Sequence, residues 1–253
     1  MNPIGFYTLF RKEVLRFWKV LLQTIVAPII TTLLYLLVFA QALKGRVEPF
    51  PGVDYSAFLI PGLMMMAVIQ NAFANSSSSI IQSKVTGNVV FILLAPLSYV
   101  QFFLAFTAAA VVRGVLVGLG ILFVAVVFVH INVQHPFVIL LFAVLGAAVL
   151  GALGLIAGIW ADKFDQLAGF QNFVIVPLSF LSGVFYSVHS LPPAFRLLSH
   201  GNPFFYMVDG FRYGFFGHSD VNPMISLAIV TAFLLFLSAM TLAILRSGYK
   251  LRD

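Results

Sequence analysis

The sequence predicts an all-α polytopic membrane protein that forms a single transmembrane domain over residues 1–253. Of its residues, 61% are hydrophobic and only 9% are charged, and the mean hydropathy is +1.06. A soluble domain carries about 25% charged residues. Apolar runs of about 20 residues, enough to cross about 30 Å of hydrocarbon, recur along the chain. The polar segments between them are too short to form a second domain.

The composition also excludes several classes of site. The chain has no cysteine, so disulfides and thiolate metal sites are excluded. In a membrane protein, a net charge of +6 is informative first about orientation in the membrane. We find no sequence pattern that indicates nucleic-acid binding. The first apolar run, residues 20–43, is too long for the core of a cleavable signal peptide.

Residues 4–19 are predicted to form a helix lying in the membrane interface on the cytoplasmic side. Alternatively, this segment is only a basic flank that orients the first span. Apolar residues recur at helical spacing on one side and basic residues on another. The apolar set is Tyr7, Phe10, Val14, Phe17 and Trp18, and the basic set is Lys12, Arg16 and Lys19.

Six transmembrane helices are predicted, and the distribution of lysine and arginine orients them. The spans are about 20–43, 57–81, 99–129, 137–160, 166–186 and 224–245. Because cytoplasmic loops carry the excess of basic residues, we expect both termini in the cytoplasm. The inside set is Arg11, Lys12, Arg16, Lys19, Lys84, Lys163, Arg246, Lys250 and Arg252, and the outside set is Lys44, Arg46, Arg196 and Arg212.

A short polar segment, residues 82–98, separates the second and third spans. Thr86, Gly87 and Asn88 favour a turn and a helix start, Val89 to Leu94 favour a short helix, and Pro96 favours its end. We expect this helix to lie at one membrane face, where an external protein could push. An ordinary loop between spans fits the spacing equally well. The second cytoplasmic loop carries Asp162, Lys163 and Asp165.

Before the last span, residues 187–223 predict two short amphipathic helices joined by a Gly-Asn-Pro turn. Helices of about ten residues are too short to cross, so we predict a re-entrant helical hairpin that dips from the external side. An external loop folded over the spans is the alternative. The five histidines also fall on the predicted external side, where an interfacial role outweighs a metal or pH role.

The sequence contains no group that could power transport. No G-x-x-x-x-G-K-[ST] motif, catalytic triad or metal-spaced histidine cluster occurs, and no acidic residue lies in a predicted span. Carriers coupled to protons or ions usually need an intramembrane carboxylate, which weakens that interpretation. Any work must therefore be powered by a partner.

Each polar residue inside the predicted spans has two possible roles. Arg113 either lines a path or extends to the nearer interface. Asn71 and Asn75 share one helix face, where they could contact a polar headgroup or bond between helices. Small-residue faces predict close helix packing at Gly114, Gly118, Gly151, Gly154 and Gly158.

Over nearly its whole length the chain resembles the permease subunits of type-2 ABC exporters, a group that includes polysaccharide, drug and Nod-factor exporters. It is most similar to the small bacterial inner-membrane members. The basic interface helix, the polar segment ending in Leu93, Leu94, Ala95 and Pro96, and the late Asn-Pro-x-x-Tyr-x-x-Asp-Gly-x-Arg run carry this resemblance. The hairpin residues in question are Pro192, Asn202, Pro203, Tyr206, Asp209 and Arg212.

The resemblance implies the type-2 ABC exporter permease fold, a homodimer in the bacterial inner membrane, and a separate ATPase that binds ATP and Mg. No cofactor is implied in this chain. The polar segment would be the coupling helix, and the late hairpin would close the external end of the path. The coupling residues would be Lys84, Thr86, Gly87, Asn88, Leu93, Leu94, Pro96, Asp162, Lys163 and Asp165.

One feature departs from the family pattern. Lys84 is the only charge in the coupling stretch, and Asn88 stands where a carboxylate is expected. A mainly apolar docking helix would also be adequate. The resemblance implies export of an amphiphilic, drug-like or lipid- or glycan-linked substrate from the cytoplasm or inner leaflet. An ion-gradient carrier or channel, or a membrane scaffold, are the alternatives.

Overall fold

A computed structural model describes residues 3–43, 50, 52–129 and 131–250 of the chain. Within these residues the regular structure is helical, apart from one isolated bridge between Phe50 and Val53. Most of the charged loop predicted after the first span, as well as His130 and Arg252, lies outside the described residues. The α-helices are α1 Pro3–Trp18, α2 Leu21–Leu43, α3 Tyr55–Val85, α4 Val89–Leu94, α5 Tyr99–Phe128, α6 Pro136–Trp160, α7 Phe164–Phe170, α8 Val176–Phe180, α9 Pro193–His200, α10 Pro203–Phe216 and α11 Pro223–Ser247.

Five of the described helices are long and apolar enough to cross a membrane: α2, α3, α5, α6 and α11. The segment predicted as another span, residues 166–186, is not among them. There α7, a π-helix over Gln171–Ile175 and α8 follow one another, and helix ends at Phe180. The chain then turns at Gly183, whose φ of +76° is unfavourable for other residues. Helix therefore ends before the predicted boundary at residue 186.

Helix α3 is the centre of the bundle and is buried along most of its length. It packs against α2, α5, α6 and α10. The contact with α6 is close because small residues face each other: a Cβ on Gly154 would lie 2.5 Å from the Phe73 carbonyl oxygen. A Cβ on Gly158 would lie 2.9 Å from the Ser77 carbonyl oxygen. The predicted small-residue packing faces are confirmed here.

Helix α1 lies against α5 and buries Leu9, Glu13 and Phe17. The apolar face predicted for this helix is only partly turned inward, since Tyr7 and Trp18 are exposed. Glu13 is fully buried and accepts hydrogen bonds from Lys12 Nζ at 3.0 Å and Arg16 Nε at 3.3 Å. The inward face is therefore set by a neutralised carboxylate as well as by apolar contact.

The segment predicted as a hairpin contains two helices, α9 and α10, joined at Gly201 and Asn202. A 3-10 turn at Val188–Ser190 precedes them. The two helices differ in environment: α9 is largely exposed, whereas α10 is buried among α3, α6 and α11. Helix α10 is therefore part of the core of the bundle.

The close α3 to α6 contact can be tested with one methyl group. We expect Gly154→Ala to lower the unfolding free energy by about 1–3 kcal/mol, because the new Cβ must displace the α3 backbone. Gly169→Ala is the matched control, since a Cβ there meets nothing within 4 Å. Thermal unfolding of the purified chain measures both. Equal effects of the two substitutions would contradict the packing argument.

Candidate functional site

The turn after α3 requires a glycine because its backbone is in the left-handed conformation, and not because a side chain would lack space. Gly87 has a φ of +73°, and a Cβ there would meet nothing within 4 Å. Thr86 donates its hydroxyl to the Gln82 carbonyl at 2.8 Å, and the Asn88 side-chain amide donates to the Thr86 hydroxyl at 3.0 Å. These local contacts end α3 at Val85, and α4 begins at Val89 after the three turn residues, as the sequence indicates.

Helix α4 presents apolar side chains outward. Val89 is turned inward, whereas Val90, Phe91 and Leu94 are 52%, 73% and 76% exposed. Pro96, just after the helix, is also exposed. We call Val90, Phe91 and Leu94 the α4 apolar face. Exposed apolar patches mark contacts with another protein or with the membrane, and this one lies at the end of the bundle beside polar loops.

Lys84, the only charge in the predicted coupling stretch, is engaged within the chain. Its ammonium donates to the carbonyls of Ile159 at 2.9 Å and Ala161 at 2.7 Å, and pairs with Asp162 at 3.1 Å. The last carbonyls of a helix lack intrahelical partners and carry partial negative charge, so a lysine there is favourable. Lys84 therefore caps α6 and fixes the end of α3 to it.

A second lysine binds the same helix end. Lys250 donates to the Trp160 carbonyl at 3.0 Å and pairs with Asp162 at 2.7 Å. We call Lys84, Asp162 and Lys250 the lysine clamp. Hydrogen bonds from Lys250 and then Lys84 lower the pKa of the exposed Asp162 carboxyl. The clamp brings both predicted cytoplasmic loops and the tail after α11 to one end of the bundle.

The remaining predicted coupling residues lie at the same end. Lys163 and Asp165 are exposed at the start of α7, where the Gln166 side chain accepts from the backbone of Asp162 at 2.7 Å. Leu93 lies in α4. Sequence reasoning grouped Lys84 and Asp162 as sites for an external partner, but the structure joins them to each other. It missed Lys250, which was assigned only to a basic tail.

A polar cavity of about 530 Å³ lies between α2, α3, α5 and the end of α1. Arg113 and Asn71 both line it, and Arg113 Nη2 donates to Asn71 Oδ1 at 3.3 Å. Asn75 is fully buried and is not part of the lining. Instead its side-chain oxygen accepts from Arg16 Nη2 at 3.1 Å. Of the three predicted path residues, two are therefore brought together in the cavity.

Arg16 was not predicted as a site residue, yet it closes one end of this cavity. Besides Asn75, it donates to Ser78 Oγ at 3.2 Å and to Glu13 at 3.3 Å. The sequence signal was the Glu13 and Arg16 pair at helical spacing, which favours a fixed side chain. An arginine within a span costs about 2.5–3.5 kcal/mol on insertion scales. The polar cavity and the hydrogen bond to Asn71 reduce this cost for Arg113.

The hairpin residues form a brace at the opposite end of the bundle. Arg212 is buried, lies 3.8 Å from the centre of the Phe58 ring, and donates to the Gly183 carbonyl at 2.9 Å. Asp209 accepts from the backbone of Asp220 at 2.7 Å and of Val221 at 3.2 Å. Burial is the main cause that raises the pKa of Asp209 to about 6.

The other predicted hairpin residues shape its turns. Asn202 caps α10 by accepting from Phe204 N at 3.0 Å, and its amide donates to the Leu178 carbonyl at 2.7 Å. Tyr206 donates its hydroxyl to the His200 carbonyl at 2.9 Å. Pro192 and Pro203 stand at the starts of α9 and α10, where a missing N–H is harmless. These residues hold the two helices together and have no evident chemistry of their own.

Comparison with known proteins defines the class. The model of the ABC-2 type transporter family matches residues 5–216, and the chain belongs to that family. It is thus a multi-pass membrane protein of a transport permease family, and this family implies association with an ABC ATPase.

Individual relatives cover nearly the whole chain. It is 34% identical over 250 residues to the inner membrane transport permease YadH of Escherichia coli strain K12. The aligned region covers 99% of this chain and 98% of YadH. It is 23% identical over 248 residues to nodulation protein J of Rhizobium leguminosarum bv. viciae, covering 96% and 94% of the two chains. The resemblance inferred from the sequence is confirmed.

The lysine clamp can be tested by pH. A carboxyl with a lowered folded-state pKa stabilises the folded chain above its ordinary pKa of about 4, and that stabilisation is lost as pH falls through the folded value. We therefore expect Asp162→Asn to lower the melting temperature at pH 7, with the difference from wild type closing at acid pH. Asp165→Asn is the control, since the described residues offer Asp165 no ion pair. A difference that stays constant with pH would contradict the clamp.

Proposed function

We propose that the chain is the permease subunit of an ATP-driven exporter in the bacterial inner membrane. It works as a homodimer with two separate ATPase subunits, and both termini and the α4 end of the bundle face the cytoplasm. The YadH similarity supports the inner membrane as location, and the excess of lysine and arginine at that end supports this orientation. The 17 residues from Phe164 to Phe180 would supply the sixth crossing, which is short and would be accommodated by local thinning of the bilayer.

The α4 apolar face is the observation that carries this proposal. Three apolar side chains project from a six-residue helix that the rest of the bundle leaves uncovered. No nucleotide-binding motif occurs in the sequence, so the energy must arrive through a contact with another protein. An amphipathic helix inserted into a groove is a recurrent way to make such a contact. We therefore assign α4 as the ATPase docking helix.

The lysine clamp would couple movement of this docking helix to the spans of the bundle. Because Lys84 and Asp162 connect the ends of α3 and α6, a displacement of α4 is transmitted to the two most deeply buried spans. Closure of the two ATPases would then rock α3 and α6 and open a path for an amphiphilic, drug-like or lipid- or glycan-linked substrate. The brace around Arg212 would close the external end of that path.

An ion-gradient carrier remains the less supported function. The two fully buried carboxylates in the described part of the chain are Glu13 and Asp209, and both are held by hydrogen bonds in α1 and α10, outside the five long apolar helices. Transport by the purified chain alone, driven by an ion gradient in liposomes, would support the carrier and overturn the exporter.

The assignment of α4 as the docking helix predicts that a substitution in α4 weakens binding of the ATPase. We expect Phe91→Ser to weaken binding to the partner ATPase by about thirtyfold, because truncating a buried aromatic anchor costs about 2 kcal/mol. The matched control is Phe137→Ser, an 86% exposed phenylalanine at the opposite end of the bundle. Co-purification and stimulated ATP hydrolysis are the measurements. Equal binding by both variants would contradict the docking role of α4.

A further inference from the structure

The cavity beside α2 has the electrostatics of an anion site. Arg113 and Arg16 line it together with neutral polar side chains, and none of the described residues that line it is acidic. Arg16 is balanced by Glu13, whose carboxylate accepts its Nε hydrogen bond at 3.3 Å. Arg113 has only the amide oxygen of Asn71 as its hydrogen-bond partner among the described residues, and its Nε is buried without one. The cavity therefore keeps an uncompensated positive charge.

The cavity opens sideways, along α2. Gln23, Ala27 and Thr31 line it and are exposed, and they lie one helical turn apart on the same face. Neighbouring α2 residues on the outer surface are apolar and exposed, namely Leu22, Val26, Ile30 and Leu34. Because α2 is one of the helices able to cross a membrane, this lateral opening would let a molecule enter the cavity from the lipid.

The charges of the lining are unevenly placed along its length, although Val20 lies at the charged end and Thr31 and Thr32 lie near the other. Arg16, Gln23 and Ser78 lie at the end near the α1 to α2 junction, whereas Leu63 and Tyr35 lie at the other. Arg113 stands between them, near the middle of α5. This gradient fits a molecule with a charged head and an apolar tail, which lipid-facing helices bind readily.

We propose that this cavity binds the phosphate headgroup of an anionic amphiphile, with Arg113 as its charged contact and the acyl chains lying along α2. Arginine suits this role because its planar guanidinium donates two parallel hydrogen bonds to phosphate oxygens. Arg16, already fixed by Asn75 and Ser78, limits how far the headgroup can move toward the end of α1. The amphiphile is either a resident membrane phospholipid or the transported cargo, since both present the same chemistry.

The test is lipid retention by the full chain. We expect the chain, reconstituted in nanodiscs with equal phosphatidylglycerol and phosphatidylcholine, to retain phosphatidylglycerol about tenfold more strongly in native mass spectrometry. Arg113→Gln removes most of this preference, and Arg113→Lys keeps more of it than Arg113→Gln does. Ala27→Phe fills the cavity without removing a charge and also reduces retention.

The controls separate this site from general surface charge and from misfolding. Arg11→Gln removes an exposed arginine from the same helix as Arg16 and leaves retention unchanged. Melting temperatures identify any variant that fails to fold. Equal retention of the two lipids, or a preference that survives both Arg113→Gln and Ala27→Phe, overturns the proposal.

A second measurement distinguishes the two sources of the ligand. In proteoliposomes containing the partner ATPase, fluorescent phosphatidylglycerol that changes leaflet only with ATP is cargo, and lipid that is retained without moving is resident. Both outcomes support the site, because it is defined by headgroup charge. Failure to assemble with an ATPase would overturn the exporter function but would leave the lipid preference intact.

Discussion

The end of α6 is the point on which the arrangement of this protein depends. A helix that stops at Trp160 leaves carbonyl oxygens without partners, and Lys84 and Lys250 satisfy three of them from two other parts of the chain. Asp162 then pairs with both ammonium groups, one through each carboxylate oxygen. Because lysine has three donors and no preferred plane, one ammonium can bridge several oxygens in this way. A single helix terminus therefore gathers the loop after α3, the loop after α6 and the tail after α11.

This junction determines which surface is left for a partner. The charges of the clamp are used within the chain, so the surface exposed at this end consists of the apolar Phe91 and Leu94 of α4 together with Lys163 and Asp165. At the other end of the bundle Arg212 plays a comparable part, because it joins α10 to the turn at Gly183 and to Phe58 of α3. The long buried α3 connects these two ends, and its close contact with α6 resists independent motion of either helix.

Local features of this molecule could be predicted from the sequence, whereas long-range contacts could not. Gly87 and Pro96 bracket α4 in the printed sequence, and small residues in α6 indicated its close packing with α3. The partner of Lys84 lies 78 residues away, and no local pattern encodes such a distance. The end of the helix at Phe180 was missed because the apolar run continues to Tyr186, so hydropathy alone does not mark the turn at Gly183.

The most direct test of this account is a cross-link at the α4 apolar face, and the absence of cysteine makes it clean. Two single-cysteine variants are compared in membranes that also contain the partner ATPase. One is Phe91→Cys, and the other is Leu197→Cys, at an exposed position on α9 at the opposite end of the bundle. The account predicts that a short thiol-to-lysine cross-linker joins the ATPase to Phe91→Cys and not to Leu197→Cys. An ATPase captured equally at both positions, or only at Leu197→Cys, would contradict it.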